Sequence, residues 1–447
     1  MHRDQSVGAA SARCGPVGST VSSGRLRRGV VGVVAAVLAF VLAVSSPAVA
    51  ASAPSNWWFD AFGVAQVQAA GIDGSGVKIA VIDGQINPDI PVFDGTHLHV
   101  DDQPLCAGGT VRSTKATDAV VHGSDVTALL IGNGTGQGKV RGMVPGADLT
   151  FYGWGMDATD CDFTDQVDGL SPFGLGLKRA AAGGAQIISM SFVLSDFYIT
   201  DADVDLIARL LAEGVVLVAG TANKLDDATF PFSGNGVVAV NAFDENGDLQ
   251  RTQDAAKKPN VWPEVTVVAP GVNFPSVDWA HGGWITGSSL ATPLVAGIIA
   301  AAAQKYPEAT GNQLIQSLIR NTGTKDHDLA RDTTSGFGYG PASLRHILAV
   351  DPTGYPDENP LMDKSSGTPT VEQVQAAAGG STPSPPPSPS VTAKSTTPPA
   401  AASPAPDTSG GSGIIVAVVL GVVVLLAIAI VIVIVVVSRR RKTRSTP

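Results

Sequence analysis

Basic charge is scarce in the middle of this chain. The 447 residues hold 29 Lys and Arg against 39 Asp and Glu, and five Arg fall in the first 50 residues and four Arg with one Lys in the last ten. With one Asp among those first 50, residues 51–437 are left near −19. So acidic a surface repels a polyanion, and no nucleic-acid partner is expected. The glycine-rich stretch GNGTGQGKV (132–140) lacks the spacing of a phosphate loop and has Val after its lysine; it reads as an ordinary loop. Cysteine is rarer still, at Cys14, Cys106 and Cys161. Three cysteines without a histidine cluster argue against structural zinc, so neither a metal site nor a required cofactor is expected.

What the chain does hold is long apolar runs near its two ends. Arg3, Arg13, Arg25, Arg27 and Arg28 precede the run Gly29–Val44, and Ala48-Val49-Ala50 supplies the small residues of a cleavage site. Residues 1–50 therefore read as a secretory signal peptide. Ile414–Val437 is 24 residues without a charge, and at ~1.5 Å per residue it reaches about 36 Å, enough to cross the ~30 Å hydrocarbon core as a single transmembrane helix. SRRRKTR follows directly, so residues 438–447 read as a basic cytoplasmic tail. Residues 362–413, with STPSPPPSPS at their centre, are too poor in apolar groups to fold and read as a linker. Residues 51–361 remain as one extracytoplasmic domain, its first residues an arm laid on the rest. Loss of Cys14 with the signal peptide leaves Cys106 and Cys161 only each other, and outside the cell they are expected to pair.

Within that domain VKIAVID (77–83), DLTFYGW (148–154), AQIISMS (185–191), VVLVAGTA (215–222) and GVVAVNAF (236–243) are apolar runs without polar alternation. Helical patterns at 122–132, 173–184 and 201–214 separate them. Such strands belong to a parallel sheet covered on both faces, an α/β doubly wound plan whose functional groups gather at the strands' carboxyl ends. Asp201, Asp203 and Asp205 alternate like the start of a calcium loop but run into a helix, where acids at the N-terminus suit the dipole.

Four residues sit where that plan places chemistry. Asp83 ends the first strand, His122 opens a helix, Asn223 follows VVLVAGTA, and Ser288-Ser289 open the helix of ATPLVAGIIAAAAQ. A serine there is as a rule a helix cap, and from position alone either serine could be that or a nucleophile. The order and surroundings resemble the subtilisin-like serine proteases: VIDGQI their aspartate motif, HGSDVTALL their His-Gly-Thr motif, VLVAGTAN their oxyanion segment, GSSLATPLVAG their Gly-Thr-Ser motif, and GFGYGPASL their closing turn. The resemblance implies that Ser289 is the nucleophile, His122 its base, Asp83 the residue that orients the base, and Asn223 the oxyanion donor. It also lays Ser191, Phe192 and Val193, with Ala219 and Gly220, along the substrate. The order of signal peptide, domain, linker, span and tail, and the segment VDPTGYPDENPL, resemble the mycosins, the membrane-anchored subtilases of type VII secretion systems. The expected partners are therefore a protein or peptide substrate, the membrane through one span, and subunits of a secretion complex. Subtilases often carry structural calcium, which the resemblance allows without naming a ligand.

Three departures from the family pattern stand out. Gly84 and Gln85 follow the aspartate, Ala222 replaces the glycine before the oxyanion asparagine, and Val193 stands where the family's Ser-Leu-Gly has its glycine. Val193 implies a restricted pocket for small side chains. Two functions follow: an extracytoplasmic serine endopeptidase, or a subtilase-shaped structural subunit with weak or no catalysis.

Overall fold

A strand with no polar face has to be covered on both sides, and the central sheet meets that demand. The structure, a computed structural model, describes residues 56–379 apart from 226, 227, 324–326 and 328. Seven strands form the sheet: β1 (Lys78–Asp83), β2 (Leu98–Asp101), β3 (Asp148–Gly153), β4 (Ile187–Met190), β5 (Val216–Gly220), β6 (Val238–Phe243) and β7 (Val267–Pro270). They are all parallel and lie in the order β2-β3-β1-β4-β5-β6-β7. All five strands read from the sequence are present. The edge strand β2 and the short β7 are additional.

Residues alternate between two cores. Ile79, Val81, Leu149, Val218 and Val240 face one cluster, which takes in helices α3 (Asp118–Ile131), α6 (Ser288–Lys305), α7 (Gly311–Arg320) and α8 (Leu344–Ala349). Ala80, Ile82, Ile188, Leu217 and Ala239 face the other, which holds α4 (Pro172–Ala182) and α5 (Asp201–Ala212). The second layer is fixed by Asp203, the third residue of α5. Its carboxylate accepts from Thr200 N–H in a capping box and from Ser171 N–H at the start of α4. The acidic start of α5 thus caps the helix and ties it to its neighbour.

The N-terminal segment forms two short helices, α1 (Trp57–Ala61) and α2 (Val64–Ala69), laid on the domain. Trp58 is fully buried and stacks on Phe274 of β8 (Phe274–Pro275), which pairs with β9 (Trp284–Ile285). Arg141 covers Phe59, 3.9 Å from the ring centre. Cys106 and Cys161 are joined as a disulfide, their Cα atoms 5.7 Å apart.

Composition set the domain's end at Leu361, and this needs correction: residues 362–379 are packed on the domain. The Lys364 side chain is buried, and its ammonium donates to the carbonyls of Phe232 and Val237. Asn235 binds Lys364 N–H and the Thr368 and Pro369 carbonyls. A last helix, α9 (Val371–Ala377), then packs on α5. Residues 362–379 strap the domain because buried polar pairs, invisible to composition, hold them. The expected signal peptide, transmembrane helix and tail, and the linker beyond residue 379, lie outside the described residues. Among the described residues no helix is long and apolar enough to cross a membrane.

Candidate active site

The strand order turns outward from β1 in both directions, and the crevice at such a point receives the carboxyl ends of β1, β4 and β5. Asp83 is the last residue of β1 and is buried. Its Oδ1 accepts from Gly84 N–H at 2.7 Å and from His122 Nδ1–H at 2.9 Å. Oδ2 is buried with no partner, so the carboxylate looks to His122 for its counter-charge. His122 does not open its helix, as the motif suggests. It is the fifth residue of α3, which starts at Asp118. The helix comes this close to β1 because the next residue is Gly123, where a Cβ would lie 2.2 Å from the Gln85 carbonyl oxygen. With Nδ1 donating to Asp83, Nε2 is left as a proton acceptor. Burial opposes charge on the imidazole, but the Asp83 charge and hydrogen bond, with Asp125 adding, outweigh it and hold His122 above its ordinary value.

The two serines of α6 separate cleanly. Ser288 is buried, and its hydroxyl donates to the Thr221 carbonyl and reaches Asn223 Oδ1 at 3.3 Å. It binds the helix start to the oxyanion segment. Ser289 is half-buried and lines an open cleft of about 650 Å³ with His122 and Asn223. Asn223 is oriented through its oxygen, which accepts from Gln250 Nε2–H at 2.7 Å and from Ser288 N–H at 3.3 Å. That leaves the Nδ2 amide group free to donate into the cleft. Gly287 keeps the space between them open: a Cβ there would sit 2.8 Å from Ser289 Oγ and 3.5 Å from Asn223 Nδ2. Among the described residues no hydrogen bond joins His122 to Ser289. Both line the same cleft, and a catalytic hydrogen bond of this kind often forms only once substrate is bound.

The residues expected along the substrate stand apart from this cleft's lining. The Ser191 hydroxyl donates to the Ser289 carbonyl at 2.8 Å. That carbonyl has no helical donor because Pro293, four residues on, lacks an N–H. Ser191 therefore completes the nucleophile helix. Phe192 packs edge-on against Trp154 and Phe173, and Val193 rests on the same core. Ala219 and Gly220 are the buried end of β5, with Gly220 facing Ser288 and Thr292 of α6. Ala222, the departure beside the oxyanion asparagine, is buried in the second core, away from the cleft. Its carbonyl is held by Asn260 Nδ2–H at 2.8 Å and Trp262 Nε1–H at 3.1 Å. The extra methyl thus leaves the oxyanion side unobstructed.

Sequence reading missed the other wall of the cleft, formed by Ser276, Asp278, His281, Trp284 and Thr286, and missed Asp125 and Gln253. It also missed Gln250, which aims Asn223 from 27 positions away. Only Asp125 carried a readable signal, as an acid one helical turn after His122 that leads into the apolar end of the helix. Among the described residues no group of three or more His, Cys, Asp or Glu side chains could hold a metal ion.

Residues 74–340 match the profile of the subtilase family. The chain is 28% identical over 295 residues to the minor extracellular protease Epr of Bacillus subtilis strain 168, covering 64% of this chain and 40% of Epr. It therefore spans about two fifths of that relative's length. Among solved structures, the PatG macrocyclase in complex with peptide superposes with a TM-score of 0.51 at 14% identity, over 64% of this chain and 95% of PatG. MycP1 from Mycobacterium smegmatis gives a TM-score of 0.47 at 19% identity, over 68% of this chain and 86% of MycP1.

Proposed function

The chain belongs to the subtilase family, and on that footing we propose that it is a membrane-anchored serine endopeptidase working outside the cytoplasm in a type VII secretion system. One observation carries the catalytic part. A buried carboxylate holds Nδ1 of His122 at 2.9 Å, on a cleft that His122 shares with Ser289 and the free amide of Asn223. Nε2 of His122 takes the Ser289 hydroxyl proton as Oγ attacks the scissile carbonyl. Asp83 keeps the imidazole in the required tautomer and balances the imidazolium. Asn223 Nδ2–H and the Ser289 N–H donate to the oxyanion. His122 then protonates the leaving amine, and water, activated by the same base, releases the acyl group. The structural-subunit reading rested on Ala222 and Val193, and Ala222 sits in the core without narrowing the site.

The secretion link and the orientation rest on the sequence layout, its signal peptide, Pro-rich linker, apolar span and basic tail. Intact cells carrying the full chain should cleave a peptide that cannot cross the bilayer. Cleavage should fall as pH drops through a midpoint above ~6.5, since His122 must be neutral to act and its surroundings favour the charged form. Activity found only after lysis would refute the orientation. A rate indifferent to pH across that range would refute the base.

A further inference from the structure

The cleft holds a second carboxyl that this reaction scheme does not use. Asp125 lies one turn beyond His122 on α3, is 2% exposed, and still borders the cleft. Both its oxygens engage the opposite wall: Oδ1 accepts from Val277 N–H at 2.6 Å and Oδ2 from the Ser276 hydroxyl at 2.9 Å. Ser276 Oγ in turn accepts from Asp278 N–H at 3.0 Å. The titratable groups around this point are His122 and Asp118 on the same helix, Asp83 at the end of β1, and Asp278 and His281 on the far wall. His281 is already paired with Asp278 at 3.1 Å. His122 is the cation in this set whose charge bears on Asp125.

We propose that Asp125 is a positioning residue for His122: its carboxyl clamps the helix that carries the base to the far wall of the cleft, and its charge, when present, favours the proton on the imidazole. The kinetic consequence rests on the protease reading; the clamp and the charge coupling do not. Burial pushes the Asp125 carboxyl up to about 7, against the pull of Val277 N–H, the Ser276 hydroxyl and His122. Each charge bears on the other, Asp125 holding His122 up and His122 holding Asp125 down, so the two titrate as a coupled pair. The clamp survives either state. A protonated Oδ2 can donate to Ser276 Oγ, whose own hydroxyl hydrogen rotates away, so titration alters the charge beside the base without opening the cleft. The acid limb of activity should therefore extend over more pH than a single proton accounts for.

The test is an NMR titration of the His122 ring nitrogens in the full chain, in a Ser289→Ala background that cannot digest itself. Asp125→Asn is nearly isosteric and keeps an acceptor for Val277 N–H. It should lower the His122 midpoint by roughly half a pH unit or more and reduce the curve to one proton. Without that variant, the Asp125 carboxyl carbon should inflect near neutrality in step with His122. An unmoved His122 midpoint in a folded Asp125→Asn chain would overturn the proposal. A shifted His122 midpoint, together with a chain that retains Ser289 and still cleaves no peptide, would refute the protease reading and leave Asp125 assigned.

Discussion

Replacing Ser191 with alanine removes one hydrogen bond, and its cost can be worked from the helix it serves. In an uninterrupted helix the N–H of residue 293 would bond the Ser289 carbonyl; Pro293 has none, and Ser191 Oγ donates instead, at 2.8 Å. Ser191 is 7% exposed, so water is a poor substitute. A buried carbonyl stripped of its partner costs about 1–3 kcal/mol, and each ~1 kcal/mol lowers the melting temperature of a domain this large by roughly 1–2 °C. Pro293→Ala restores the missing N–H. In that background Ser191→Ala should cost about 1 kcal/mol less, because the helix then supplies its own donor. Urea unfolding of the four combinations, each carrying Ser289→Ala to prevent self-digestion, measures the coupling. Ala at 289 retains the carbonyl in question. Costs that add within ~0.5 kcal/mol would show that Ser191 does not stand in for the proline's absent donor.

Reduction of the Cys106–Cys161 bond opens a loop of 55 residues and should cost about 4 kcal/mol in the loop-entropy account, seen as a lower melting temperature; an unchanged melting point would contradict that. Gly287→Ala places a methyl 2.8 Å from Ser289 Oγ. It should cut kcat by about 10²-fold, and undiminished turnover would mean that the gap between Oγ and Asn223 is not needed. Burial pushes the Lys364 ammonium down to about 7. Between about pH 7 and ~10.4 the unfolded chain then binds one more proton at this site than the folded chain, so stability rises with pH. Lys364→Met should destabilise the fold and remove that rise; equal slopes in the two proteins would place Lys364 in solvent.

The central strands were legible because burial on both faces leaves a run such as IIS or VLVA no polar alternation. The edge strand β2 was not, since half-exposed Leu98, Val100 and Asp101 alternate with exposed His99 and read as loop. Asp83, His122, Asn223 and Ser289 each stand beside a local motif. The residues that aim and brace them are neighbours only in space. Gln250 reaches Asn223 from a different strand connection, and the Ser276–Asp278 wall meets Asp125 from about 150 positions away. The resemblance to the Gly-Thr-Ser motif named Ser289 rather than Ser288, and the fold adds the physical difference, burying one hydroxyl against Thr221 and placing the other residue on the cleft. The strap beyond Leu361 did leave a trace. Thr370 and Gln373 have the spacing of a capping box and form one at the start of α9, but the surrounding Pro, Ser and Thr composition outweighed it.

The central claim is that Ser289 is a nucleophile activated by His122. A fluorophosphonate probe, which reacts with an activated serine, should label the full chain once, at Ser289. Labelling should be lost in Ser289→Ala, fall steeply in His122→Ala and persist in Ser288→Ala. A folded wild-type chain that takes up no label, or one whose label survives Ser289→Ala, would contradict the account.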